Sequence, residues 1–260
     1  MFNMTKIIKL SERLKLIADQ VPHGSRVADI GSDHALLPCY LVNSGQALSA
    51  IAGEVNPGPL EAAQKQVREE QLEQYITVRE GDGLAVIQPG EVNVITIAGM
   101  GGSLIVKILS ADPAKLVGIE RLVLQPNVGE DTVRQWLLQE NWLLVDEHIL
   151  EEDGKFYEVI VAVRAEDAAA RNAELYAANP LEAYGVHVSK EQQIWMGPYL
   201  LSQPNAAFAR KWESEKSKLE RIVQTLQQSQ AEESRVKEQA FQQQIGRIEE
   251  VLQCLQKGRP

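Results

Sequence analysis

The strand-like run RVADI, near the start of the chain, is followed by side chains that can bind a charged ligand. Asp29 lies in that run, and Gly31, Ser32, Asp33 and His34 follow it. A glycine at this point allows a tight turn and a close approach of the backbone to a ligand. The two carboxylates would attract a cationic sulfonium or α-ammonium group and repel a pyrophosphate. We therefore expect these five residues to bind a small cationic cofactor.

This turn lacks the glycine pattern of a dinucleotide-binding loop. Where G-x-G-x-x-G requires its second and third glycines, the chain has Asp33 and Leu36. Taken alone the turn is weak evidence, because an Asp at a strand end often caps the next helix. Its interpretation depends on the ends of the other strands.

Two further strand-like runs end in residues suited to adenosine. Glu54 follows Asp29 by 25 residues and can accept hydrogen bonds from both hydroxyls of a ribose. Asp82, followed by Gly83, can accept a hydrogen bond from an adenine amino group. We predict that Glu54, Asp82 and Gly83 contact the cofactor.

The fourth and fifth runs end in residues suited to a base that is to be modified. Gly99 and Gly101 belong to a small loop that borders the cofactor and lets a flat base approach it, with Met100 between them. Gln125 and Asn127 carry amides that can read the edge of a heterocycle. We predict cofactor contacts for the two glycines, and a catalytic role for Met100, Gln125 and Asn127.

Strands and helices alternate over the first 165 residues, which predicts parallel strands with helices on both faces of one sheet. Two more strands surround the turn EEDGK, as in an antiparallel hairpin. Five parallel strands closed by a hairpin are typical of Rossmann-like class I methyltransferases, whereas NAD-binding domains more often end in a sixth parallel strand. Ligands of such α/β sheets bind at the carboxyl ends of the strands, where the residues described above are expected.

The rest of the chain has a different pattern. Residues 166–204 include a stretch without a clear apolar face and are predicted to be a connecting segment. Residues 205–260 show apolar residues at helical spacing on both sides of the polar stretch QQSQAEES. This predicts an antiparallel coiled-coil hairpin of two helices, whose simplest role is packing or dimerisation.

Charge is unevenly distributed along the chain. The formal net charge is −10, but residues 190–260 contain 11 Lys and Arg against 9 Asp and Glu. The negative net charge of the whole chain therefore does not exclude an RNA partner. The predicted RNA-binding residues form a basic stripe on an opening helix and a cluster on the first helix of the hairpin: Lys6, Lys9, Arg13, Arg210, Lys211, Lys218 and Arg221. For each of them alone, a solvated surface charge is the alternative.

The two cysteines, Cys39 and Cys254, are far apart in the sequence and predict neither a disulfide framework nor a metal cluster. No apolar run has the length of a membrane span, and no secretory signal is recognisable. We expect a cytoplasmic protein without membrane or metal partners. The sequence leaves the oligomeric state open.

Several motifs resemble those of one family. ADIGSDHALLPCYL, AIAGEVNPGPLEAA, ITIAGMGGSLI, LVLQPNV and LEEDGKFYEV are similar to segments of the bacterial tRNA (adenine(22)-N(1))-methyltransferase family, TrmK. The resemblance extends through GPYL and the C-terminal helices. It implies S-adenosylmethionine as methyl donor, a Rossmann-like catalytic domain, tRNA as substrate and a coiled-coil appendage used on tRNA.

The chain also lacks the Asp/Asn-Pro-Pro-aromatic box with which many methyltransferases hold an exocyclic adenine amine. This absence fits attack by a ring nitrogen such as N1, whose lone pair needs no base to expose it. Two alternatives remain: a methyltransferase that acts on another substrate, and a non-catalytic nucleotide-binding coiled-coil adaptor. The full set of strand-end residues favours an enzyme.

Overall fold

The computed structural model describes residues 8–228 and 231–257. The chain forms two compact units, which are discontinuous in sequence. The first comprises Met1–His148 and Tyr157–Glu174, and the second comprises Ile149–Phe156 and Leu175–Pro260, each as far as the structure describes it. The predicted boundaries at residues 165 and 204 stay a prediction.

Seven strands form one sheet in the order β3-β2-β1-β4-β5-β7-β6. β1 to β5 are parallel, and β7 runs antiparallel to β5. The predicted α/β Rossmann-like sheet is therefore confirmed, with the reversal of strand order between β1 and β4. The strands are β1 (Ser25–Ile30), β2 (Ala47–Glu54), β3 (Ile76–Glu80), β4 (Val94–Gly101), β5 (Arg121–Val128), β6 (Leu143–Glu152) and β7 (Lys155–Val163).

The helices between the strands pack their apolar residues against the sheet, whose central strands are almost wholly buried. Burial of this apolar surface is the main contribution that stabilises the unit. These helices are α2 (Leu36–Asn43), α3 (Pro57–Glu69), α4 (Gly102–Ser110) and α5 (Glu130–Gln139), whereas α1 (Glu12–Asp19) precedes β1 and α6 (Ala168–Ala177) follows β7. Short 3-10 helices lie at Gly83–Val86, Pro113–Leu116 and Glu182–Tyr184.

The opening helix is shorter than the sequence pattern predicts. It begins at Glu12, because the Ser11 side chain accepts a hydrogen bond from the Leu14 N–H and caps the helix there. Lys9 is exposed but lies before the helix, and Lys6 lies outside the described residues. The predicted helical stripe of Lys6, Lys9 and Arg13 is therefore wrong for the described part of the chain.

The hairpin of β6 and β7 has a two-residue turn, as the sequence predicts. Asp153 and Gly154 have φ values of 51° and 71°. Two consecutive positive φ values are characteristic of the type I′ turn, whose twist matches that of the flanking strands. Asp-Gly is one of the dipeptides that favour it.

The second unit contains the end of this hairpin and is otherwise mainly helical. Its helices are α7 (Lys190–Met196), α8 (Pro198–Ser202), α9 (Ala206–Leu226) and α10 (Glu232–Lys257), so the predicted connecting segment contains helices. Lys216 contacts Glu249 at 2.7 Å and Gln227 donates to Glu238 at 2.9 Å, which shows that α9 and α10 pack antiparallel.

The core of the second unit contains Phe208 and Trp212 of α9 together with Ile149 from the hairpin. Trp195 of α7 meets Trp212 edge to face, with ring centroids 4.7 Å apart. No helix in the described part of the chain is both long enough and apolar enough to cross a bilayer.

Candidate active site

Asp29 lies near the end of β1, buried at the centre of the sheet. Its two carboxylate oxygens accept hydrogen bonds of 2.6 Å from the hydroxyls of Ser32 and Thr96. Burial raises the pKa of the Asp29 carboxyl, and these two bonds oppose that rise. The carboxylate thus ties the turn after β1 to the neighbouring strand β4.

The turn after β1 has an unusual backbone. Asp33, His34 and Ala35 all have positive φ values, of 38°, 53° and 52°. Such conformations cost about 1–3 kcal/mol each for residues other than glycine and concentrate at ligand-binding sites. The Asp33 and His34 side chains are exposed, with His34 Nε2 3.4 Å from the Asp33 carboxylate. The turn therefore presents its backbone and two polar side chains at the carboxyl end of the sheet.

Gly31 allows a side chain of the protein to approach the turn after β1 closely. Its φ is 70°, and a Cβ built on it would lie 2.2 Å from Met100 Cε. The Met100 side chain therefore lies directly against the turn after β1. This contact brings the predicted cofactor loop and the predicted base loop together.

Acidic residues end the next two strands. Glu54 is buried at the end of β2, and its carboxylate accepts a hydrogen bond from the Asp33 N–H. Burial raises the pKa of the Glu54 carboxyl, whereas the Asp33 bond lowers it. Asp82 is exposed just after β3 and is followed by Gly83, whose φ is 54°. The predicted cofactor residues thus line the ends of three adjacent strands.

The ends of β4 and β5 are joined by an amide network. The buried Gln125 accepts a hydrogen bond from the Gly99 N–H at 3.1 Å and donates to Asn127 Oδ1 at 3.1 Å. Asn127 Nδ2 in turn donates to the Gly99 carbonyl at 2.8 Å. Gln125 also donates to the carbonyl of Pro126 at 2.9 Å. The network holds the exposed Asn127 amide in one orientation.

The predicted glycine loop is the irregular end of β4 rather than a separate loop. The register with β5 shifts on both sides of Met100, and α4 begins immediately at Gly102. A Cβ at Gly102 would lie 2.1 Å from the Gly129 carbonyl oxygen. The two strand ends therefore approach each other closely, backbone against backbone.

Arg13 contacts the amide network at the ends of β4 and β5. Its guanidinium donates to Gln125 Oε1 at 2.8 Å, and its Cζ lies 5.4 Å from the centroid of the Tyr157 ring. The side chain is half-buried. The prediction that grouped Arg13 with Lys6 and Lys9 therefore missed its position.

The four basic residues predicted on the hairpin lie along α9. Arg210 pairs with Glu151 at 2.5 Å, and Lys218 lies 3.4 Å from Glu215. Arg221 is exposed and donates to the carbonyl of Ser217. Lys211 is half-buried, with Nζ 5.5 Å from the centroid of the Trp212 ring.

Sequence reasoning missed Thr96, Tyr157 and the true position of Arg13. Thr96 is a polar residue in the otherwise apolar run VITIA, which was a signal that it faces a buried polar group. Tyr157 gave no such signal, because an aromatic residue in a hairpin strand is common. Among residues 8–228 and 231–257, no group of three His, Cys, Asp or Glu side chains is placed to hold a metal ion.

The chain matches known proteins over most of its length. The family model of TrmK, tRNA (adenine(22)-N(1))-methyltransferase, matches residues 27–250. This chain belongs to the TrmK family. It is similar to the tRNA (adenine(22)-N(1))-methyltransferase of Bacillus subtilis (strain 168), with 43% identity over 251 residues that cover 96% of this chain and 99% of that protein.

Two solved structures share the fold. The crystal structure of the B. subtilis M1A22 tRNA methyltransferase TrmK has a TM-score of 0.83 and 42% identity, and the match covers 94% of this chain and 99% of that one. Streptococcus pneumoniae Sp1610, in complex with S-adenosyl-L-methionine, has a TM-score of 0.78 and 39% identity, with 94% and 100% covered. The resemblance predicted from the motifs is therefore confirmed.

Proposed function

We infer that this protein transfers a methyl group from S-adenosylmethionine to N1 of adenine 22 in tRNA. Membership of the TrmK family supports the activity, and one observation of this chain supports the site. The contact of Met100 with Gly31 joins the strand ends suited to the donor to those suited to the base. We propose the cytoplasm, where tRNA is the available substrate, as the place of action.

The residues at the ends of β1, β2 and β3 fit S-adenosylmethionine. Gly31 has no Cβ, so Met100 can pack against the turn, and the exposed Asp33 offers negative charge to a cationic ligand. Glu54 is suited to accept from ribose hydroxyls, and Asp82 from an amino group. Bound S-adenosylmethionine supplies an electrophilic methyl group on a sulfonium. Asp29 acts indirectly, because it holds the turn through Ser32.

The residues at the ends of β4 and β5 orient the base. N1 of adenine carries a lone pair and no proton, so the reaction needs no general base. Its rate then depends on alignment, to which Asn127 contributes through an amide fixed by Gln125 and Gly99. The ring becomes cationic on methylation, and the acidic residues near the strand ends stabilise that charge.

The test is methylation of a tRNA transcript with labelled donor, followed by nucleoside analysis and mapping of the modified position. We expect 1-methyladenosine at position 22. A transcript that differs only by guanine at position 22 is the matched control and is expected to remain unmodified. Label in another nucleoside, or equal label in both transcripts, would overturn the assignment of the substrate.

A further inference from the structure

Arg13 places a positive charge at the ends of β4 and β5. It comes from the second residue of α1, far in sequence from both strands. Its contact to Gln125 Oε1, at 2.8 Å, is a charge-assisted hydrogen bond, which is stronger than a bond between two neutral groups. The Tyr157 ring also lies near the guanidinium, with its centroid 5.4 Å from Arg13 Cζ.

We propose that Arg13 is a positioning residue for methyl transfer, and that it acts on the base through Gln125 and Asn127. This inference rests on the proposed function of the same site. Arg13 does not bind a phosphate of the tRNA in this proposal. Its guanidinium holds the Gln125 amide, which in turn holds the Asn127 amide.

The donors and acceptors of the network fix its orientation. Arginine has only donors, and the Gly99 N–H is also a donor, so the Gln125 atom that both contact is the oxygen. The Gln125 nitrogen then faces the carbonyl of Pro126 and the oxygen of Asn127. Asn127 therefore uses its oxygen within the network and one N–H on the Gly99 carbonyl.

This arrangement leaves Asn127 with one further N–H and one further lone pair on Oδ1, both of which can meet a ligand. The N–H suits an acceptor other than N1, whose lone pair must attack the methyl group, and the lone pair on Oδ1 suits an amino group. A shift of Gln125 would change the place of that N–H. Since a misplacement of about 1 Å can cost a hundredfold in rate, loss of Arg13 should act mainly on turnover.

The variants Arg13→Met and Arg13→Lys test this proposal. R13M keeps an apolar stem against Tyr157 but removes every donor, whereas R13K keeps one charged donor without the planar fork. We expect kcat on tRNA to fall about a hundredfold in R13M and less in R13K. The KM for S-adenosylmethionine and the Kd for tRNA should stay as in the unmodified enzyme.

The salt dependence of tRNA binding separates positioning from a phosphate contact. A phosphate contact predicts that R13M weakens binding and lowers the slope of log Kd against log salt by about one. Positioning predicts an unchanged slope together with the loss of kcat. Lys15→Met, on the same helix and paired with Asp19, is the control for removal of a charge from α1 and is expected to keep kcat.

Two results would overturn the proposal: an unchanged kcat in R13M, or a loss confined to tRNA affinity. If thermal unfolding shows that R13M does not fold, kcat and the Kd for tRNA are measured on R13K instead. The proposal requires that kcat of R13K falls while its tRNA affinity stays constant. Failure of the proposed function is recognised separately, since the unmodified enzyme would then leave adenine 22 unmethylated.

Discussion

The Thr96 hydroxyl donates a hydrogen bond of 2.6 Å to the Asp29 carboxylate from the position directly opposite it on the neighbouring parallel strand. The other oxygen of Asp29 accepts from Ser32. Both oxygens of this buried acid are therefore bonded within the protein. Asp29 thus acts on a ligand chiefly through the turn that it holds in place.

Thr96→Val is expected to lower the free energy of unfolding at pH 7 by about 1–3 kcal/mol, because a buried carboxylate loses a donor at constant shape. Burial raises the pKa of Asp29 in the folded state, so its contribution to stability is full below its usual pKa and is lost as pH rises through the folded pKa. Loss of Thr96 raises this pKa further.

The deficit of T96V should therefore be largest at neutral pH and shrink as the solution becomes acidic. Urea unfolding at a series of pH values measures it. Thr77→Val, at an exposed position of β3, is the matched control and should show a small effect that does not depend on pH. A deficit in T96V that stays constant into the acidic range would contradict this account of Asp29.

The two variants Asp29→Ala and Asp29→Asn distinguish support of the turn from direct charge attraction. D29A removes both acceptors and should abolish binding of S-adenosylmethionine. D29N keeps one oxygen and the shape of the side chain, and the hydroxyls of Ser32 and Thr96 can rotate to suit an amide. We expect isothermal titration to show measurable donor affinity in D29N. Equal loss in both variants would mean that the charge itself binds the donor.

Gly31→Ala should weaken donor binding by about tenfold or more, equivalent to ~1.4 kcal/mol. The new Cβ would meet Met100 Cε at 2.2 Å, on a backbone with a φ of 70°. Gly24→Ala is a close control, because Gly24 has a φ of 80° but open space around it. Titration with S-adenosylmethionine compares the two. Undiminished affinity in G31A would remove this turn from the donor site.

Asn127→Ala should reduce methylation of tRNA by about a hundredfold, the scale of losing one oriented catalytic contact. Donor affinity should stay unchanged, because Asn127 lies at the end of β5, whereas most of the predicted donor residues lie at the ends of β1, β2 and β3. Single-turnover methylation and titration with donor measure the two effects. Gln139→Ala removes an exposed amide at the end of α5 and controls for the substitution. Normal turnover in N127A would exclude Asn127 from the site.

The ends of the strands could be predicted from sequence because parallel strands bring their carboxyl ends to one edge of a sheet. That rule alone predicts that Asp29, Glu54 and Gln125 lie at the same edge of the sheet. Hydrogen-bond partners on neighbouring strands could not be predicted. The bond from Thr96 to Asp29, for example, joins residues 67 positions apart and depends on the register of two strands. Arg13 was misplaced because a basic residue at helical spacing has the same pattern on a surface as in a site.

Reversal of charge on α9 tests whether the hairpin binds tRNA. Deletion of residues 205–260 would remove Phe208 and Trp212, which are buried with Ile149 in the core of the second unit, so the remainder would lose its packing. The double variant Lys218→Glu with Arg221→Glu changes only exposed side chains. It is therefore the cleaner experiment.

We expect this double variant to weaken tRNA binding and to lower the slope of log Kd against log salt by about two, because each phosphate contact contributes about one. Donor affinity should not change. Arg235→Glu with Lys237→Glu makes the same change of charge on exposed positions of α10. If the two double variants lost equal affinity, net charge rather than the basic residues of α9 would explain the effect. If neither lost affinity, the hairpin would be a packing element.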